Sequence, residues 1–120
     1  MRKGEVEMKV LFAVAEADPF AKTGGLGDVG GSLPKAIHGL SCPMRVIMPK
    51  YSTIPLPLQE SMAFLTSFTV ELGWRRQYCG LFEMEHQGVH YYFVDNGYYF
   101  NREGIYGYGD DGERFAFFAR

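Results

Sequence analysis

A chain of 120 residues, 47% of them hydrophobic, has enough apolar surface for one core and no room for a second domain. Twelve basic residues against fourteen acidic ones leave a formal charge of −2, so no field of one sign marks the chain for nucleic acid or for an anionic membrane surface. Cys42 and Cys79 stand far apart, outside any CxxC, Cys/His cluster or dense spacing, which argues against a metal site or disulfide scaffold and for a reducing cytoplasm.

Residues 1–8 read as an N-terminal extension. Basic residues open it, but acidic ones follow, and the apolar run behind it is too short and too poorly flanked for a signal peptide or a membrane span. Met8 is an alternative start, because the strand pattern begins directly after it. Val10-Leu11-Phe12-Ala13-Val14-Ala15 is a continuous apolar run with β-branched and aromatic members, which predicts a parallel strand covered on both faces. A polar stretch from Glu16 to Thr23 and a run of glycines follow. Val29, Leu33, Ala36, Ile37 and Leu40 then fall at the spacing of one helix face. Pro34 lies inside that helix and is expected to kink or restart it. Gly39 and Cys42-Pro43 end it, and Arg45-Val46-Ile47-Met48 predicts a second buried strand, giving a right-handed parallel βαβ unit.

Pro49, Pro55 and Pro57 predict a loop. From Phe64 onward Phe68, Val70 and Leu72, then Phe82 and Met84, alternate with polar neighbours, the pattern of antiparallel strands. Gln87-Gly88 turns the chain into the apolar strand Val89–Val94, which Asp95-Asn96-Gly97 stops. The Gly-, Tyr- and Asp-rich stretch from Tyr98 to Gly112 predicts a loop, and a helix starts at Glu113 and is cut off in mid-pattern at Arg120. The fold class is therefore α/β, a parallel βαβ start followed by antiparallel hairpin strands. Eight Tyr, ten Phe and one Trp suit either carbohydrate-facing rings or aromatic core strands.

Gly25, Gly27 and Gly30 spell a GxGxxG at the mouth of a helix, the dinucleotide pattern. That fingerprint puts its first glycine almost directly after the strand, whereas Glu16 to Thr23 intervene here, and the second strand closes on Met48-Pro49-Lys50 with no ribose-binding acid. A phosphate P-loop needs Lys and Ser/Thr after its last glycine, and Lys22-Thr23 come before. What remains is a helix start that lets backbone approach a ligand, with positive potential and the mobile cation of Lys22 beside it, suited to an anion. A tightly packed turn with a solvated lysine explains the same residues.

Residues 9–51 resemble the N-terminal signature of the glycogen and starch synthases. The shared elements are Lys9-Val10-Leu11-Phe12, Glu16, Pro19, Lys22-Thr23-Gly24-Gly25-Leu26-Gly27-Asp28-Val29, Leu33-Pro34 and Met48-Pro49-Lys50-Tyr51. A second block, Phe100-Asn101-Arg102-Glu103-Gly104-Ile105-Tyr106-Gly107 with Asp111 and Arg114-Phe115, resembles a later stretch of the same family. Asn101 stands where an aspartate is usual, and Glu103-Gly104 lacks the usual proline.

The resemblance implies a two-domain GT-B fold of which residues 9–120 supply part of the Rossmann-like N-terminal domain. It implies transfer of glucose from ADP-glucose to the non-reducing end of an α-1,4-glucan with retention of configuration, with no metal ion or cofactor. By matching position, Lys22 reaches the ADP-glucose, Gly24, Gly25 and Leu26 bring backbone close to sugar and phosphates, and Tyr106 lies near the acceptor. Asp28 matches an aspartate facing the active site; a helix N-terminal carboxylate stabilised by the dipole is the alternative. His38, His86 and His90 are expected to be structural. The family's diphosphate-holding Arg and Lys, its C-terminal Glu and its base-reading residues fall beyond Arg120, so these 120 residues are expected to be an inactive fragment. A glucan-binding remnant and a Rossmann-type dinucleotide domain are the rival readings.

Overall fold

Two apolar runs pair in parallel as β1 (Val10–Ala13) and β2 (Met44–Pro49), with α1 (Gly25–Gly39) between them. The computed structural model describes residues 10–39, 44–73 and 75–119. The expected extension at 1–8, together with Lys9, Leu40, Cys42, Pro43 and Arg120 and the side chains of Ile37 and His38, lies outside the described residues. The remaining elements are α2 (Leu56–Glu60), β3 (Ala63–Leu72), β4 (Arg75–His86), β5 (Val89–Asp95), α3 (Gly97–Phe100) and α4 (Asp111–Ala119).

The five strands form one sheet in the order β1-β2-β5-β4-β3. β5 joins β2 in parallel, with Val46 opposite Tyr91 and Met48 opposite Phe93, and β4 and β3 extend the sheet antiparallel. The mixed sheet is the one the sequence predicts. Its core is aromatic: Phe20 meets Tyr91 at 4.7 Å and Phe93 at 5.0 Å between centroids, and Tyr99 meets Phe117 at 5.0 Å. Such ring pairs add about 0.5–1.5 kcal/mol each beyond the area they bury. His86 packs its edge on Phe20, and His90 Nε2 lies 3.1 Å from Glu83 across the β4–β5 ladder. Cys79 is buried, and burial pushes its thiol up.

Several expectations are corrected. Of the two outcomes expected at Pro34, a kink or a restart, the restart does not occur: α1 crosses Pro34 as one element, and it begins at Gly25, so Gly27, Gly30 and Gly31 lie inside it. Its buried face is also not the predicted one. Val29, Leu33 and Ala36 are exposed, while Gly27, Gly30, Gly31 and Pro34 face inward. A Cβ on Gly30 would collide with the Glu16 carbonyl oxygen and approach Ala17 Cα to 3.1 Å, and one on Gly31 would stand 2.5 Å from the Asp18 carbonyl oxygen. The helix sits so close to the 16–18 segment that only glycine fits at the contact. β1 stops at Ala13, although Val14 N–H still donates to Ile47 at 3.1 Å, and Leu11 is 58% exposed, so β1 is not covered on both faces.

Two predicted loops contain helices. α2 starts where prolines cost least, at its N-terminus, whose N–H groups have no intrahelical acceptor. α3 is capped by Asn96, whose Oδ1 accepts from Tyr99 N–H at 3.1 Å.

Candidate functional site

The loops leaving the carboxyl ends of β1 and β2 converge, the position where open α/β sheets bind ligands. Tyr51, just after β2, donates its hydroxyl to the Ala15 carbonyl at 2.7 Å and so ties the two loops together. Between them stands Glu16, 1% exposed. Its Oε1 accepts from the N–H groups of Thr23 (3.2 Å), Gly24 (3.3 Å) and Gly27 (2.8 Å), and its Oε2 accepts from Thr23 Oγ1 at 2.7 Å. Burial opposes its charge, but the bonds from Thr23, with help from Tyr106 and Gly27, outweigh burial and hold the carboxyl below its ordinary value.

Glu16 therefore caps α1 from eleven residues upstream of Gly27. This changes the expected anion site, since part of the helix start is already occupied by a carboxylate. Among the described residues no acceptor meets the N–H groups of Gly25 and Leu26, so two donors stay open there. A Cβ at Gly24 or Gly25 would meet nothing within 4 Å, so neither glycine is required by packing. The Lys22 stem lies against Gly27, and its ammonium rests 2.6 Å from Asp28 Oδ1; this hydrogen bond and the carboxylate charge push Lys22 upward. Asp28 is a first-turn carboxylate and the partner of Lys22 at once.

Tyr106 arrives from the far loop. Its phenol interacts with Glu16, and burial together with that contact pushes it up to about 12. The loop is held by Arg114, fully buried, whose Nε donates to Tyr99 O at 2.7 Å while its Nη1 donates to Ile105 O at 2.8 Å and Asp111 Oδ1 at 2.7 Å. Asp111 in turn accepts from the N–H groups of Gly107 and Tyr108, and Gly107 sits at φ 94°, a turn suited to glycine. Beside this constellation a cavity of about 360 Å³ opens between Lys22, Thr23, Thr53, Glu103 and Gly104.

The structure thus places Lys22, Gly24, Gly25, Leu26 and Asp28 together at the start of α1, where Glu16 holds Gly24 and Gly27 and meets Tyr106 from the later loop. Glu16 belongs to the signature, but nothing in the sequence assigns it a role. Its signal is an acid placed directly after an apolar strand and ahead of a Gly-rich helix start. Among the described residues no three His, Cys, Asp or Glu side chains are grouped to hold a metal ion, and no helix is long and apolar enough to cross a membrane.

The catalytic domain of starch synthase IV from Arabidopsis thaliana, solved with ADP and acarbose, superposes with a TM-score of 0.85 at 27% identity, over 96% of this chain and 24% of that one. The fold is thus that of part of a GT-B glycosyltransferase. The model of the starch synthase catalytic domain matches residues 9–120. The chain belongs to that family. Glycogen synthases of Caldicellulosiruptor saccharolyticus and Bacillus subtilis are 59% and 56% identical to it over 113 residues, 94% of this chain. Those residues are 24% and 23% of the two relatives, so the chain spans about a quarter of their length.

Proposed function

We propose that this chain is the N-terminal part of a retaining glucosyltransferase that passes glucose from ADP-glucose to the non-reducing end of an α-1,4-glucan such as glycogen. The observation that carries the reading is the pair of open N–H groups at Gly25 and Leu26, flanked by the Lys22 ammonium and by two glycines that packing does not require. Open N–H donors at a helix start, with a lysine just before it, suit a diphosphate leaving group, whose charge grows in the transition state. Asp28 then takes a glucose hydroxyl when Lys22 turns to the diphosphate, and Tyr106 offers the acceptor sugar a ring face and a hydroxyl. No cofactor enters this scheme.

Residues 9–120 supply one wall of the cleft, and the other belongs to the three quarters of the relatives' length that this chain does not span. The chain alone is therefore expected to be inactive. A cytoplasmic setting belongs to the same reading, in keeping with the free thiol of Cys79.

The test is a chimera carrying residues 9–120 in place of the matching segment of the Bacillus subtilis glycogen synthase. Lys22→Ala is expected to lower kcat for transfer from ADP-glucose by about 10²–10³-fold, the loss typical of removing one charge-stabilising donor. Gly25→Ala should leave the thermal midpoint unchanged while weakening ADP binding. An unchanged rate in Lys22→Ala would defeat the reading.

A further inference from the structure

Glu16 presents a chemical puzzle: a buried carboxylate stands beside the one place where an anionic diphosphate would be bound. Its charge disfavours that ligand, and a Ser, Thr or Asp immediately before α1 would cap the helix more simply. Its contacts show what a shorter residue could not do. One carboxylate holds Thr23 by both backbone and hydroxyl, Gly24 and Gly27 by their N–H groups, and faces the Tyr106 phenol from the loop that Arg114 fixes. The Lys22 stem is bracketed by the same contacts. A Cβ placed on Gly27 would lie 2.8 Å from Lys22 Cγ and 3.0 Å from Glu16 Oε1, so lysine stem and carboxylate crowd one point on the helix.

We propose that Glu16 is a positioning residue for glucosyl transfer, joining the Lys22–Gly27 turn to the Tyr106 loop so that donor-side and acceptor-side groups keep one geometry. The proposal rests on the functional reading above, and it adds a residue to which that reading gave no role. Glu16 touches neither substrate; its effect on the rate runs through Lys22, with the Tyr106 loop braced against the same carboxylate. Its negative charge is offset locally by three N–H donors and one hydroxyl, which limits its repulsion of a diphosphate bound at Gly25 and Leu26.

The same chimera tests it, with kcat and KM for ADP-glucose measured in Glu16→Ala, Glu16→Gln, Lys22→Ala and Glu16→Ala/Lys22→Ala. Misplacing a positioned group typically costs about 10²-fold, so Glu16→Ala is expected to lose about that much in kcat with KM changed less than about threefold. Glu16→Gln keeps an oxygen to accept from Gly27 and Thr23, and should recover at least about tenfold of that loss. If Glu16 acts through Lys22, the double variant should be no more than about threefold slower than Lys22→Ala alone. Should the alanine variant fail to fold, the glutamine variant and its own double with Lys22→Ala carry the comparison. Three results would overturn the proposal: Glu16→Ala at the parent rate, Glu16→Gln as slow as Glu16→Ala, or losses that multiply in the double variant. A normal loss in Lys22→Ala with no loss at Glu16 sinks this proposal alone. No loss in Lys22→Ala sinks the functional reading and this proposal with it.

Discussion

The Lys22 ammonium rests 2.6 Å from Asp28 in a pair whose side chains are 45% and 60% exposed, so the partner that holds it can be given up at small cost. Exposed pairs of this kind contribute about 0–1 kcal/mol, less than an incoming diphosphate offers a cation. Tyr106 reports on the neighbouring carboxylate more directly. Burial first, then the hydrogen bond and charge of Glu16, raise its phenol from 10.0 to about 12. A raised folded-state value means that the fold favours the protonated phenol. That contribution is complete below 10.0 and is lost as pH rises through about 12. Glu16 runs the other way: its lowered carboxyl contributes above its ordinary 4.5 and loses that contribution as pH falls through the depressed value. Subtracting the alkaline absorbance titration of Tyr106→Phe from that of the unsubstituted protein is expected to isolate one phenol ionising near 12. In Glu16→Gln the same difference should shift downward yet stay above 10.0, because burial, the larger cause, is unchanged. A Tyr106 phenol ionising at 10.0 beside an intact Glu16 would contradict the contact.

The elements were more legible than their orientation. Runs of Val, Ile, Phe and Tyr marked β1, β2 and β5, and the Gln87-Gly88 turn fixed the β4–β5 hairpin, because strand signals lie in local composition. α1 was legible as a helix but not in phase. Periodicity assigns the interior to the largest apolar residues, whereas here the interior face is Gly27, Gly30, Gly31 and Pro34. Close backbone approach leaves no hydrophobic signature, and only the neighbouring 16–18 segment reveals why those glycines are small. The short helices α2 and α3 were hidden by prolines and glycines that read as loop, and by a cap at Asn96 that a turn would share. The phase of α1 has a measurable consequence. Gly30→Ala should destabilise by about 1–3 kcal/mol in urea unfolding, since the methyl meets backbone that cannot move aside. Val29→Ala, one position away and 50% exposed, should cost less than about 1 kcal/mol. The opposite ranking would mean that the predicted face, not the glycine face, packs on the sheet.

At the scale of the whole molecule, the apolar residues that α1 turns outward belong to a larger pattern. Leu26 at 48%, Val29 at 50% and Leu33 at 37% exposure lie on α1, and Leu11 at 58% lies on β1, the terminal strand at one end of the sheet. Phe64, Leu65 and Phe68, all between 44% and 55% exposed, lie on β3 at the other end. These exposed apolar residues fit a chain that spans about a quarter of its relatives' length. The 120-residue polypeptide produced by itself is therefore expected to bind a hydrophobic dye and to self-associate through its terminal strands, because exposed apolar edges template pairing. Leu33→Lys with Phe68→Lys should reduce both effects without lowering stability by more than about 1 kcal/mol, since both side chains are substantially exposed. Sedimentation and dye fluorescence, followed against protein concentration, check this. A dye-silent monomer with a cooperative unfolding transition would show instead that the sheet is complete without the rest of the catalytic domain.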